Sequence, residues 1–176
     1  MKLPADHESR SLYDLQDEFR GEVVEVLREC REQAIEMRPF FTVRGPAVQA
    51  RLWAQSRTPE QIERARAMLI RAKAPWLAGF LKTEYAMRGR WATAALPGQS
   101  WHQWGEAIDC FAVGTRGEAV WANAVYECYA TAAKVNGLEA GHWWASKDSV
   151  HVQLRNEGRP HMIWAEIEDA MRERFE

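Results

Sequence analysis

The sequence predicts an α+β fold: several helices flanking a small antiparallel sheet. Apolar residues recur at helical spacing in several long segments, and a few short runs between turns read as antiparallel strands. No repeat, low-complexity tract or linker interrupts the 176 residues, which are 47% hydrophobic and 27% charged, so one domain spanning 1–176 with its own core is expected.

From Ser11 to Met37, Leu12, Leu15, Phe19, Val23, Val26, Cys30, Ala34 and Met37 form one helical stripe, with Ser11 as its cap and Pro39 as its stop. Phe40 to Val43 reads as a short buried strand, followed by an Arg44-Gly45-Pro46 turn and a helix through Gln49, Leu52 and Trp53. Thr58-Pro59-Glu60-Gln61 combines a cap, a proline at the first helical position and a capping-box glutamine, and Ile62, Ala65 and Leu69 line one face of the helix it starts. A second helical piece is expected from Pro75 to Met87, then a loop over Gly89–Gln99. Ser100–Val113 reads as a turn and then a strand. Thr115-Arg116-Gly117 is a turn, Val120–Val135 a helix, and Asn136-Gly137 its left-handed close. In the next strand Val150, Val152 and Leu154 share one face, while His151 and Gln153 share the other. An amphipathic helix is expected from His161 to Phe175.

The totals exclude several function classes. A net charge of −2 with no basic run argues against nucleic-acid binding. No stretch approaches the length of a membrane span, so no stable membrane insertion is expected. The opening MKLPADHESRS lacks the apolar centre of a signal peptide, which implies synthesis in the cytoplasm without an export signal. Cys30, Cys110 and Cys128 are odd in number and scattered among apolar neighbours, as reduced core thiols are.

One residue breaks the pattern. Asp109 stands within Ala107-Ile108-Asp109-Cys110-Phe111-Ala112-Val113, a strand with no polar face. A carboxylate there requires a cation or a set of donors. An arginine partner is one answer, and a metal is the other. His102 precedes Asp109, while Asp148 and His151 lie three residues apart at the approach to a later strand. Two histidines and a carboxylate are a recurrent catalytic zinc set, and a further aspartate supplies the base that such a site needs. Taken singly, each residue has an ordinary reading: a packed histidine, a loop aspartate, a half-buried strand histidine. Spacing leaves both readings open.

The motifs then narrow the choice. Ser100-x-His102-x-x-Gly105-x-Ala107-x-Asp109 resembles the signature of the zinc D-alanyl-D-alanine carboxypeptidase superfamily, whose members include phage L-alanyl-D-glutamate endopeptidases. GLEAGHWWASKDSVHVQ resembles that family's glycine-tryptophan loop and D-x-x-H motif, and FFTVRGPAVQARLWAQSRT its upstream strand, arginine and helix. The resemblance implies a hedgehog/DD-peptidase-like fold with the zinc site on the sheet. It implies one Zn²⁺ per chain held by His102, Asp109 and His151, with Asp148 as catalytic acid/base and Arg44 steadying the oxyanion. Residues from Pro59 to Tyr85 stand as a helical insertion relative to the family, and His142 reads as a surface loop histidine, with a substrate contact as the alternative. Cys110 points to the face opposite Asp109 and is not a ligand.

Asp148-Ser149-Val150-His151 is the aspartate form found in the phage endolysin branch, where the carboxypeptidase branch shows glutamate. The resemblance therefore implies a single-domain, monomeric endolysin cleaving the L-alanyl-D-glutamate bond of the peptidoglycan stem peptide, released to the wall with the help of a holin. The alternatives are a D-Ala-D-Ala carboxypeptidase or dipeptidase, and a wall-binding module that keeps zinc without turnover.

Overall fold

The computed structural model describes residues 2–155 and 162–176. They form two compact units, one from residues 2–8, 44–103 and 162–176, the other from residues 9–43 and 104–155. The architecture is mixed α+β, as the sequence predicts. Among the described residues, seven α-helices accompany one small antiparallel sheet.

The second unit carries the whole sheet. Its strands are β1 (Glu36–Phe41), β2 (Ala107–Val113), β3 (Ala119–Val120), β4 (Glu139–Ala140) and β5 (His151–Gln153), in the order β1-β2-β5-β4 with β3 beside β2. Helices α1 (Asp17–Glu32) and α6 (Asn123–Val135) belong to the same unit. Phe19, Val23, Val26 and Cys30 of α1 and Tyr126, Tyr129 and Ala133 of α6 join Ile108, Cys110 and Val152 of the sheet in one buried cluster. Central strand β2 is buried over its first four residues, which accounts for its unalternating apolar sequence.

The first helical prediction runs too far. Ser11 caps only a 3₁₀ turn, Leu12–Asp14, by accepting from Tyr13 N–H, and α1 ends at Glu32. Ala34 then takes φ +59°, with its N–H bonded to Arg31 O and Ile35 N–H to Cys30 O, both at 2.9 Å. That is a Schellman stop built on alanine where glycine is usual, so no sequence signal marked it. Met37 lies in β1, and Pro39 sits within that strand. Proline is accommodated there because β1 is the sheet's edge, where a missing N–H interrupts no second ladder. The register shifts between Pro39 and Phe41.

The other helical expectations hold with shorter bounds. Val120 belongs to β3, so α6 begins at Asn123. It closes as predicted at Gly137, φ +78°, with Leu138 N–H bonded to Ala133 O.

The first unit is helical. α2 (Pro46–Ala54), α3 (Pro59–Arg71) and α4 (Pro75–Ala78) follow in order. The capping box at Thr58 and Gln61 is formed from both sides. Of the piece expected over Pro75–Met87, only α4 and a 3₁₀ turn at Thr83–Tyr85 are helical. α5 (Trp101–Trp104) is a single turn leading into β2, and α7 (Trp164–Phe175) is the last helix. The expected start of that helix at His161 lies outside the described residues. No helix among the described residues is long and apolar enough to cross a membrane.

Candidate active site

Antiparallel pairing of β2 with β5 sets Asp109 directly opposite His151. Directly opposed residues project to one face with side chains close enough to interact. His151 Nδ1 accordingly lies 2.9 Å from Asp109 Oδ1, and both residues are buried, 9% and 8% exposed. His102, on the turn α5 that runs into β2, is 1% exposed. Each of the three offers a ligand atom within 4.8 Å of the others, a group able to hold a metal ion.

The donor set fits a zinc ion. Two ligands of a tetrahedral zinc stand about 3.4 Å apart at ordinary bond lengths, so small adjustments would seat one. The second nitrogen of His151, Nε2, lies 2.9 Å from Gln153 Oε1. Both nitrogens thus face oxygen acceptors, and a neutral imidazole has only one N–H to give. Positive charge is called for at Nδ1, as a second proton or as a metal ion. Burial disfavours a charged ring, but the Asp109 hydrogen bond and charge, then Gln153 and the charge of Asp148, hold the pKa of His151 above its usual value.

Asp148 is exposed, at the end of a loop whose other side is Gly141. Its N–H donates to Gly141 O at 2.9 Å, and its own carbonyl accepts from His151 N–H at 3.2 Å. Arg44 lies half-buried in the first unit, in a bridge with Glu8 just before α2. Its place is set by the backbone beside it, where Gly45 N–H donates to His7 O at 2.7 Å.

His142 is a correction. It is only 2% exposed, with Nδ1 3.0 Å from Ser149 Oγ and its ring edge-on to Trp143. Burial, then the charge of Lys147, lowers its pKa. The three cysteines are free, and burial pushes the Cys30 and Cys110 thiols up to about 12, so neither competes as a metal ligand.

Trp144 and Glu139 stand next to the cluster. Trp144 stacks at a tilt on His151, ring centroids 5.3 Å apart, and donates its indole N–H to Glu139 at 2.6 Å. Trp143, Trp144, Glu139, Lys134 and Arg155 line a cavity of about 580 Å³. Sequence reasoning missed Glu139, because its strand is two residues long and carries no alternation.

Residues 13–147 match the family model described as VanY, D-alanyl-D-alanine carboxypeptidase. The chain belongs to this family. The peptidase is thus a hydrolase acting on peptide bonds of peptidoglycan. The matched span contains Arg44, His102 and Asp109 and ends one residue before Asp148. Among solved structures the peptidase is similar to the Serratia marcescens L-Ala D-Glu endopeptidase ChiX, at 19% identity over 85% of this chain and 90% of that one, TM-score 0.45. It is also similar to the L,D-carboxypeptidase DacB from Streptococcus pneumoniae, at 14% identity over 90% and 72%, TM-score 0.43. A third is a mutant of the vancomycin-resistance D,D-pentapeptidase VanY from a VanB-type cassette, in complex with Zn(II), at 16% identity over 87% and 82%, TM-score 0.44. No curated protein matches the chain.

Proposed function

We propose that the peptidase is a zinc enzyme that cleaves the L-alanyl-D-glutamate bond of the stem peptide, holding one Zn²⁺ on His102, Asp109 and His151. The observation that carries the zinc reading is the buried group of two histidines and an aspartate, with Nδ1 of His151 2.9 Å from Asp109 Oδ1. A bound zinc ion supplies Lewis acidity toward the scissile carbonyl and toward water. Asp148, on the loop that leads into His151, takes the proton of the attacking water and hands it to the leaving amine. Arg44 supplies positive charge where the carbonyl oxygen becomes an oxyanion. The cavity beside Trp144 receives the peptide, with Lys134 and Arg155 available to its free carboxylates.

The choice of bond rests on Asp148-Ser149-Val150-His151, the aspartate form of the motif. The same form supports an endolysin role: a monomer that reaches the wall from the cytoplasm once a holin has opened the membrane. The family description itself favours a second reading, a D-Ala-D-Ala carboxypeptidase.

Digestion of purified peptidoglycan, with the products read by mass spectrometry, separates them. New amino-terminal D-glutamate identifies the endopeptidase, and released D-alanine identifies the carboxypeptidase. A zinc-loaded protein that releases neither is a wall-binding module.

A further inference from the structure

Behind His151 a line of polar side chains crosses from β5 to β4 and the loop beyond. His151 Nε2 lies 2.9 Å from Gln153 Oε1, Gln153 Nε2 donates to Glu139 Oε2 at 3.3 Å, and Trp144 Nε1 donates to Glu139 Oε1 at 2.6 Å. Glu139 and Gln153 are register partners across the two strands, and Gln153 is buried.

The direction of every bond follows from the far end. An indole N–H can only donate, and both oxygens of the Glu139 carboxylate can only accept. Gln153 must therefore turn its NH₂ to Glu139, which leaves its carbonyl oxygen toward His151. That oxygen accepts, so Nε2 of His151 must carry the proton. In the ring that carries a single proton the lone pair is then on Nδ1, the nitrogen that faces Asp109.

We infer that Glu139 and Gln153 are positioning residues that hold His151 in the Nε2–H tautomer and so present Nδ1 to the metal. The inference rests on the zinc reading and deepens it. Partners that orient a metal-binding histidine contribute about 10- to 100-fold in metal affinity. Without such a partner a histidine can take either tautomer, and one of them puts a proton where the metal belongs.

Glu139→Gln shows why the carboxylate is needed. Trp144 still requires an acceptor, so the new amide gives it the carbonyl oxygen and presents NH₂ to Gln153. Gln153 then turns its own oxygen to that group and its NH₂ to His151, favouring the wrong tautomer. The exchange variant Glu139→Gln/Gln153→Glu repairs the line. A carboxylate at position 153 accepts from both His151 Nε2–H and the new amide on β4, whose oxygen still accepts from Trp144.

Two measurements test this. Long-range ¹⁵N–¹H spectra of the zinc-loaded wild-type protein should show His151 protonated at Nε2 and bound through Nδ1. Competition with a chromophoric chelator should show Glu139→Gln and Gln153→Ala weakening zinc by about 10- to 100-fold, and the exchange variant returning to within about threefold of wild type. A merely structural bond between strands would lower the melting temperature and leave the zinc affinity of the folded protein unchanged. That result, an Nδ1–H tautomer, or an exchange variant no tighter than Glu139→Gln would each overturn the inference. If Gln153→Ala fails to fold, the wild-type spectrum and the exchange variant still decide. A wild type that binds no zinc removes the zinc reading itself, whereas zinc bound with the opposite tautomer removes only this inference.

Discussion

Adding one methyl group at Gly141 should impair the peptidase without touching a ligand. Gly141 follows β4 and accepts from the N–H groups of both Trp144 and Asp148, at 3.2 and 2.9 Å. A Cβ at this position would stand 2.5 Å from the carbonyl oxygen of Asp148 and 3.1 Å from both Asp148 Cβ and Trp144 Cε3. Real Cβ atoms essentially never approach closer than 3.0 Å, so the Asp148 backbone must retreat by about half an ångström. Overpacking of this kind costs about 1–3 kcal/mol. A misplacement of about 1 Å at a reacting group costs about 100-fold in rate, so half of that corresponds to roughly tenfold. Gly141→Ala should therefore keep its zinc, because His151 is anchored by its pairing with β2, melt a few degrees lower, and turn over about tenfold more slowly. The assay is release of amino groups from peptidoglycan, with zinc content and melting temperature measured on the same sample. Full turnover by a zinc-loaded Gly141→Ala protein would show that the Gly141 contact does not position Asp148 for the proposed proton transfer.

Four further outcomes are expected. Asp148→Asn should fold and retain zinc while hydrolysis falls by about two to four orders of magnitude; an undiminished rate would remove Asp148 from the chemistry. Arg44→Ala should lower kcat by roughly 100-fold or more if, as proposed, it meets charge present only in the transition state, and a change confined to KM would make it a substrate anchor instead. Elemental analysis should find near-stoichiometric zinc in the wild type and little in His102→Ala, and full retention would exclude His102 as a ligand. Cys30 and Cys110, with thiols pushed up to about 12, should stay unmodified by a thiol reagent at pH 8 in the folded protein, where roughly one in 10⁴ is ionised, and react after denaturation. Rapid labelling of Cys110 in the native state would contradict its burial.

Much of the site was legible because its chemistry conflicts with its surroundings. Asp109 stands out in an apolar strand, and the period-two pattern of the later strand correctly put His151 and Gln153 on one face. The neighbours that orient those groups were hidden by geometry. Glu139 reaches Gln153 through a two-residue strand that no periodicity can reveal, and His142 is buried by a loop whose composition reads as surface. The helix stop was hidden too. Alanine at φ +59° is set by the surrounding structure, so the helical stripe continued on paper into residues that form β1.

The edge formed by β1 bears on behaviour at high concentration. An open strand edge is a template for another chain, and long flat edges invite stacking into aggregates. Here Pro39 removes a donor from the middle of the exposed row, the adjacent register shift disturbs it further, and the Glu36–Arg38 ion pair at 2.8 Å keeps charge along it. A second molecule laid against that edge would find a broken ladder and charges to desolvate. The proline that misleads a reading of the helix boundary thereby acts as a gatekeeper, allowing the chain to accumulate without its sheet growing from one molecule into the next.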